Sequence, residues 1–354
     1  MTRRRWLLLG ALVVLSLAVA GSASFWLLIP DLVVAQIEQP AALPEEASAV
    51  AFQVRRGETA NEIARRLGDL GLIRSPLLFR LLVGYYDVET RLEAGEYELN
   101  AGMSPTEIIS RLHRGLVRTT LITAPEGWSI AEVARHFERQ GAVREAELLA
   151  AASRRNYGFD FLAELPEGLG LEGYLFPDSY RVQPGTTAEE LVALMLRTFD
   201  QRVTAEMRQE AVEKGLSLHG LVTLASIVER EAVVPEERPL IAGVFLNRLG
   251  RRMLLQADPT VQYALSRDPA SVRRWGIWKE NLFREDLDLD TPYNTYRYTG
   301  LPPGPIANPG LASIMAVLNA SQTDYLYFVA QGDGSHLFAR TLEEHNRNVR
   351  QRRS

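Results

Sequence analysis

The chain contains no cysteine. That absence excludes disulfides, thiolate nucleophiles, iron–sulfur clusters, cysteine-based zinc sites and a lipid-modified N-terminal cysteine. Histidine is scarce as well. The five residues, His113, His136, His219, His336 and His345, are scattered, and none pair at ligand spacing on one helix, so neither a metal nor another cofactor is expected. Lys and Arg form no long block and the formal net charge is −5, which sets nucleic acid aside as a partner. What is present is ordinary for a folded protein: 46% hydrophobic and 23% charged residues over a length of 354, enough for roughly two domains.

Residues 7–29 form a run without a charge, and a helix of that length spans roughly 34 Å, enough for one bilayer crossing. Arg3, Arg4 and Arg5 precede it, whereas Asp31, Glu38, Glu45 and Glu46 follow. The positive-inside rule then leaves residues 1–6 in the cytoplasm and everything after the span outside it. A cleaved signal peptide is the alternative, since Ala18-Val19-Ala20 and Ser22-Ala23-Ser24 resemble small-residue cleavage sites. Against it, the apolar run resumes at Phe25-Trp26-Leu27-Leu28-Ile29. Residues 30–49, with their Pro, Glu and Ala, read as a linker.

A local pattern then recurs four times: Gly, one residue, Ser or Thr, and Glu three residues after the hydroxyl. The pairs Thr59/Glu62, Ser104/Glu107, Ser129/Glu132 and Thr187/Glu190 are capping boxes that satisfy the orphan N–H groups of a starting helix. β-like runs at residues 50–54, 95–99 and 119–123 precede the first three. The fullest copy, Phe52-Gln53-Val54-Arg55-Arg56-Gly57-Glu58-Thr59 with Ile63, Ala64 and Leu67, resembles a LysM-like module, a small βααβ glycan-binding unit.

In the second half, residues 218–232 carry a helical pattern that Ser217 can cap. Taking 100° per residue from Ala225, Leu218, Leu221, Val222, Val228 and Ala232 fall within about 60° on either side, and Glu229 falls inside that apolar arc at about +40°. Arg230 and Glu231 point away at about +140° and −120°, as solvated charges. Burying a carboxylate among aliphatic groups raises its pKa, as a general acid near neutral pH requires, so Glu229 is the candidate acid. The bland alternative is a buried Glu paired with an Arg, such as Arg248 or Arg252.

Three loops are dense in Pro, Gly, amides and aromatics: residues 256–261, 291–296 and 300–310. A fourth, residues 171–180, adds another acid, Glu172. Tyrosine faces stack on pyranoses and amides bond sugar hydroxyl and acetamido groups, so this inventory suits a glycan groove. Gln256, Asp258, Thr260, Tyr293, Asn294, Tyr296, Glu172 and Asn308 are the groove candidates.

Assembled, these segments resemble the endolytic murein transglycosylases of bacteria, the YceG-like family, over essentially the whole length. The likeness rests on the N-terminal span, the LysM-like stretch, residues 171–180, Ala225-Ser226-Ile227-Val228-Glu229-Arg230-Glu231, residues 256–261, Tyr293-Asn294-Thr295-Tyr296, residues 300–310, Tyr325-Leu326-Tyr327-Phe328-Val329, residues 334–338, and His345-Asn346. Residues 271–279, with Trp275 and Trp278, are longer and more aromatic than the family's usual connection. The resemblance implies an α+β fold with a single transmembrane helix (7–29), a LysM-like subdomain (50–117) and a catalytic domain (118–354). It places the protein in the cell inner membrane with the catalytic domain on the periplasmic side.

The resemblance further implies a lytic transglycosylase that cleaves the β-1,4 bond after N-acetylmuramic acid in peptidoglycan without water, with Glu229 as catalytic acid. Such a Glu protonates the leaving oxygen, then takes the proton of the muramic C6 hydroxyl as that oxygen closes a 1,6-anhydro ring. Expected partners are glycan strands, the membrane and glycan polymerases or penicillin-binding proteins whose nascent strands the enzyme would terminate. Two other readings remain: an inert peptidoglycan-binding scaffold that recruits synthases, and a two-carboxylate hydrolase pairing Glu229 with Glu172, Glu231 or Asp258.

Overall fold

The computed structural model describes residues 39–43, 48–115 and 119–352. The expected span at 7–29 and most of the linker lie outside the described residues. Among the described residues no single helix is long and apolar enough to cross a membrane. The chain divides into two compact units after Thr120.

The first unit runs β1 (Val50–Val54), α1 (Ala60–Asp69), α2 (Pro76–Tyr85), β2 (Gly95–Leu99) and α3 (Pro105–His113). β1 and β2 pair antiparallel with Phe52 opposite Tyr97. Because side chains alternate along a strand, Phe52, Val54, Tyr97 and Leu99 all turn to one face. There they meet Ile63 and Leu67 of α1, Phe79 and Leu82 of α2, and Ile108 and Leu112 of α3 in one buried core. Tyr97 is fully buried, so its hydroxyl needs partners. It donates to the carbonyls of Glu93 (2.6 Å) and Leu112 (3.3 Å), and burial pushes its pKa up to about 12.

The second unit is helix-rich with two small sheets, an α+β arrangement. It comprises β3 (Thr120–Thr123), α4 (Ile130–Arg139), α5 (Glu145–Ala152), β4 (Ser179–Val182), α6 (Ala188–Arg202), α7 (Ala205–Glu213), α8 (Leu218–Glu231), α9 (Arg238–Gly250), α10 (Asp258–Ser266), α11 (Pro269–Trp275), α12 (Leu311–Leu318), β5 (Tyr327–Ala330), β6 (His336–Ala339) and α13 (Leu342–Arg352). β3 pairs with β4, and β5 with β6 as a hairpin. α8 is the axis of this unit, packing against α7, α9, α10 and α12. Leu218 and every residue from 221 to 228 are buried, so α8 has no solvent face over most of its length. A helix enclosed in this way delivers its chemistry at its ends.

Three of the four expected capping boxes are complete, at the starts of α1, α4 and α6. The fourth is half-formed. Ser104 accepts from the Glu107 N–H at 3.2 Å, but the Glu107 carboxylate lies 3.5 Å from Arg111 one turn on rather than at the cap. Sequence spacing fixes where a box can form, while a competing i,i+4 ion pair decides whether its second half does. Ser217 caps α8, accepting from the Gly220 N–H at 3.0 Å.

Candidate active site

α8 ends in three consecutive charges, Glu229, Arg230 and Glu231, and the structure separates them. Glu229 has a side chain only 7% exposed, with Arg238 Nη2 lying 3.5 Å from Oε1. Oε2 accepts the Gly310 N–H at 3.0 Å. Gly127 packs over its stem, so that a Cβ there would meet the Glu229 Cγ at 3.3 Å. Glu126 stands beside this group, its pKa raised first by burial and second by the charge of Glu229. Glu229 is therefore the ion-paired carboxylate anticipated as the bland alternative, with Arg238 in place of Arg248 or Arg252.

Arg230 and Glu231 correct the expectation of solvated charges. The Arg230 guanidinium stacks 3.4 Å from the centroid of Trp278 and donates to the Gly127 carbonyl at 2.8 Å. Glu231 is partly buried at the last residue of α8. Burial chiefly, and the Asp258 carboxylate next, push its pKa up to about 8 against the pull of Arg248. Among the described residues no protein group donates a hydrogen bond to its carboxyl. The reason for the error is geometric: on a helix enclosed on all sides, acids two residues apart leave toward different neighbours, and neither side is solvent.

Two groove candidates, Asp258 and Tyr296, lie near Glu231, and a third, Gln256, is held by Arg248, whose charge also acts on Glu231. Asp258, in the first turn of α10, accepts the Tyr296 hydroxyl at 2.5 Å. Tyr296 has its own pKa raised by burial, by that bond and by the charges of Asp258 and Glu231. Gln256 is exposed, in the left-handed region at φ 52°, with its N–H bonded to the Thr295 carbonyl at 3.1 Å. Its side-chain oxygen accepts from Arg248 Nη1 at 3.3 Å. Arg248, unremarked as a site residue in the sequence, is the hub: its guanidinium also donates to the carbonyls of Leu326 (2.6 Å), Leu254 (3.1 Å) and Leu255 (2.8 Å).

Other candidates lie inside the protein rather than on a groove. Thr260 is fully buried, donating to the Ala257 carbonyl at 2.7 Å and accepting from the Thr295 hydroxyl at 2.9 Å. Asn294, equally buried, donates to the carbonyls of Leu287 (2.9 Å) and Leu289 (2.7 Å) and accepts from the Tyr296 N–H (3.0 Å). Asn308 accepts the N–H groups of Gly173 (3.0 Å) and Leu175 (3.1 Å) and donates to the Trp128 carbonyl (2.9 Å). These three shape the loops that carry Tyr296, Gly310 and Glu172, since their polar atoms are already engaged by protein.

Glu172 and Tyr293 belong to a separate cavity of about 530 Å³, which neither Glu229 nor Glu231 lines. Glu172 accepts the Ile130 N–H at 2.9 Å and the Tyr263 hydroxyl at 3.2 Å, and burial raises its pKa to about 7 despite those bonds. The Tyr293 ring lies 5.0 Å from Tyr263. The His336 N–H donates to Glu237 Oε1 at 3.0 Å, while His336 Nδ1 lies 2.6 Å from Oε2. That tie holds the β5–β6 hairpin to the turn that follows α8. Among the described residues no group of three or more His, Asp or Glu side chains is placed to hold a metal ion.

The YceG-like family model matches residues 52–351. The endolytic murein transglycosylase of Bacillus subtilis is 34% identical over 311 residues, covering 84% of this chain and 83% of that protein. That of Streptococcus pneumoniae strain R6 is 32% identical over 329 residues, covering 85% of this chain but 58% of the longer relative. A crystal structure of a yceG-like protein from Listeria monocytogenes superposes with a TM-score of 0.57 at 32% identity, covering 86% of this chain and 99% of that one. With a family match across most of its length and relatives of this similarity, the chain belongs to the YceG-like family.

Proposed function

We propose that this protein is a membrane-anchored endolytic lytic transglycosylase of peptidoglycan, with Glu231 as its acid and base. The observation that carries the assignment is the state of Glu231: a carboxyl held near pKa 8, close to Asp258, Tyr296 and Arg248. Such a group keeps its proton at neutral pH and can give it up to a leaving oxygen. In the first half of the reaction the Glu231 proton passes to the glycosidic oxygen as the bond from muramic C1 breaks. In the second, the C6 oxygen bonds to C1 and its proton returns to Glu231. One carboxyl therefore closes the cycle and no water is consumed. Arg238 and the Gly310 N–H hold the Glu229 carboxyl in place and fix the end of α8 against the 304–310 loop.

The relatives' names, endolytic murein transglycosylase, support the substrate and the endolytic mode. The first unit supports glycan binding through its βααβ order, the order of a LysM-like module. Residues 7–29 would anchor the chain in the inner membrane with both units outside the cytoplasm, where it would end nascent strands beside the polymerases that make them. A second reading has one specific support: Asp258 lies close enough to Glu231 to raise its pKa, so the two could act as the acid and base of a hydrolase.

Product analysis separates the readings. The full chain is incubated with glycan strands and the new ends are examined by mass spectrometry. Anhydro-muramic ends support the transglycosylase, reducing ends the hydrolase, and no new ends an inert scaffold. Glu231→Gln is expected to abolish the anhydro ends, and Glu229→Gln to lower stability first. Loss of chemistry in a folded Glu229→Gln protein, with Glu231→Gln active, would return the assignment to Glu229.

A further inference from the structure

The first unit leaves one apolar surface uncovered by its own fold. α2 buries Phe79, Leu82 and Val83 and turns Leu77 (62% exposed), Leu81 (59%) and Tyr85 (76%) outward. Their spacing of four places them along one stripe of the helix. Isolated surface leucines are common, but a stripe of two leucines and a tyrosine is a patch that wants an occupant.

The chemistry beside the stripe narrows the choice. Arg80 is exposed on the same helix and, with Arg55, lines a groove of about 460 Å³. Arg55 continues into a second concavity of about 330 Å³ shared with Arg56, Arg65 and Arg66. Three acids line these grooves with the arginines: Glu58 is paired with Arg66 at 2.6 Å, Glu62 is held by the N-terminal cap of α1, and Glu89 shares the groove of Arg55 and Arg80. An apolar stripe of Leu and Tyr with Arg80 on the same helix, and Arg55 in the groove that Arg80 lines, has the composition of a surface that lies in a membrane interface, with the ring at headgroup level and the guanidinium groups on lipid phosphates.

From this arrangement we infer that the first unit docks the α2 face onto the anionic lipid surface of the membrane that residues 7–29 enter. This rests on the anchored reading given above. The linker supports that choice of occupant. Residues 30–49 can reach at most about 70 Å fully extended. The unit is thus confined near a bilayer at high effective concentration, so even a weak interfacial contact is populated. Basic attraction to lipid also predicts that the contact weakens as salt rises.

The absence of cysteine makes the test direct. In the full chain, Leu81→Cys carries a single environment-sensitive fluorophore, Val212→Cys in the second unit serves as the control, and Leu77→Cys repeats the test on the stripe. The chain is reconstituted in phosphatidylcholine vesicles with or without phosphatidylglycerol, and quenching by a lipid-borne nitroxide is read. The expected result is several-fold stronger quenching at 81 and 77 than at 212 in the anionic vesicles. It should fall to the level of 212 in phosphatidylcholine alone and in the double variant Arg55→Glu, Arg80→Glu. Protein that floats with the vesicles while labels 81 and 77 stay in water overturns the docking and leaves the anchor standing. Failure to float overturns both. Labels shielded before any vesicle is added overturn it in favour of a protein occupant.

Discussion

The pH dependence of strand cleavage follows from Glu231. Its pKa rises from 4.5 to about 8, so at pH 7 the carboxyl is about 90% protonated, against about 0.3% at its ordinary value. The site thus multiplies the competent acid roughly 300-fold. Initial rates of anhydro-end formation, measured on the full chain from about pH 5 to 10, should hold a plateau and then fall about tenfold per unit above pH 8. Asp258→Asn removes the carboxylate that adds to the shift, and should move the falling limb to lower pH. Glu231→Gln should cost about 10²- to 10⁴-fold on the plateau below pH 8 and remove the falling limb. Stability supplies a second readout with a defined sign. Between about pH 4.5 and 8 the unfolded chain loses the Glu231 proton and the folded chain keeps it, so this residue lowers stability as pH rises through that window. The Gln variant should therefore gain in melting temperature relative to the parent at pH 8 but not at pH 4. A limb near pH 4.5 would refute the reasoning. So would a limb near pH 7 that disappears in Glu172→Gln, because Glu172 is the other buried acid, at about 7.

Two further predictions concern how the loops are held. Asn308→Ala leaves the buried N–H groups of Gly173 and Leu175 without their acceptor, and at about 1–3 kcal/mol each the loss is about 2–6 kcal/mol, to be read by urea unfolding at constant m-value. Gly173→Ala demands a Cβ at φ 89°, only 2.5 Å from the Pro305 ring and 2.9 Å from Val222 Cγ1. The backbone strain and the clash together should cost about 3 kcal/mol or more, seen as a melting temperature lower by roughly 6–12 °C.

Local rules carried much of the fold into the sequence. Residues 50–54 and 95–99 are β1 and β2 with the expected bounds, and the third run begins one residue late as β3. Ser217 caps α8 where the pattern placed it, and three Ser/Thr–Glu pairs close as boxes. Each of these is decided by neighbours three or four residues apart, a distance at which the backbone itself sets the geometry. The resemblance found in the loops likewise led to the YceG-like family, because a family likeness is carried by residue identity and needs no coordinates.

Where the two acids of α8 lie was another matter. A helical wheel ranks residues by their angle to a single core, and α8 has partners all around it, so its apolar arc marks no inside and its polar side no outside. Glu229 fell in the arc and met Arg238. Glu231 fell outside it and met Asp258, Tyr296 and the buried Arg248, contributed by segments far along the chain. Asn294 and Asn308 look like sugar-binding amides in a sequence, yet here they bond loop backbones that only the folded chain brings within reach. Sequence alone determined the elements, their caps and the family. Tertiary packing decided that the Glu231 pKa rises, because a pKa is set by what displaces water and by which charges approach, and both come from residues distant in the chain.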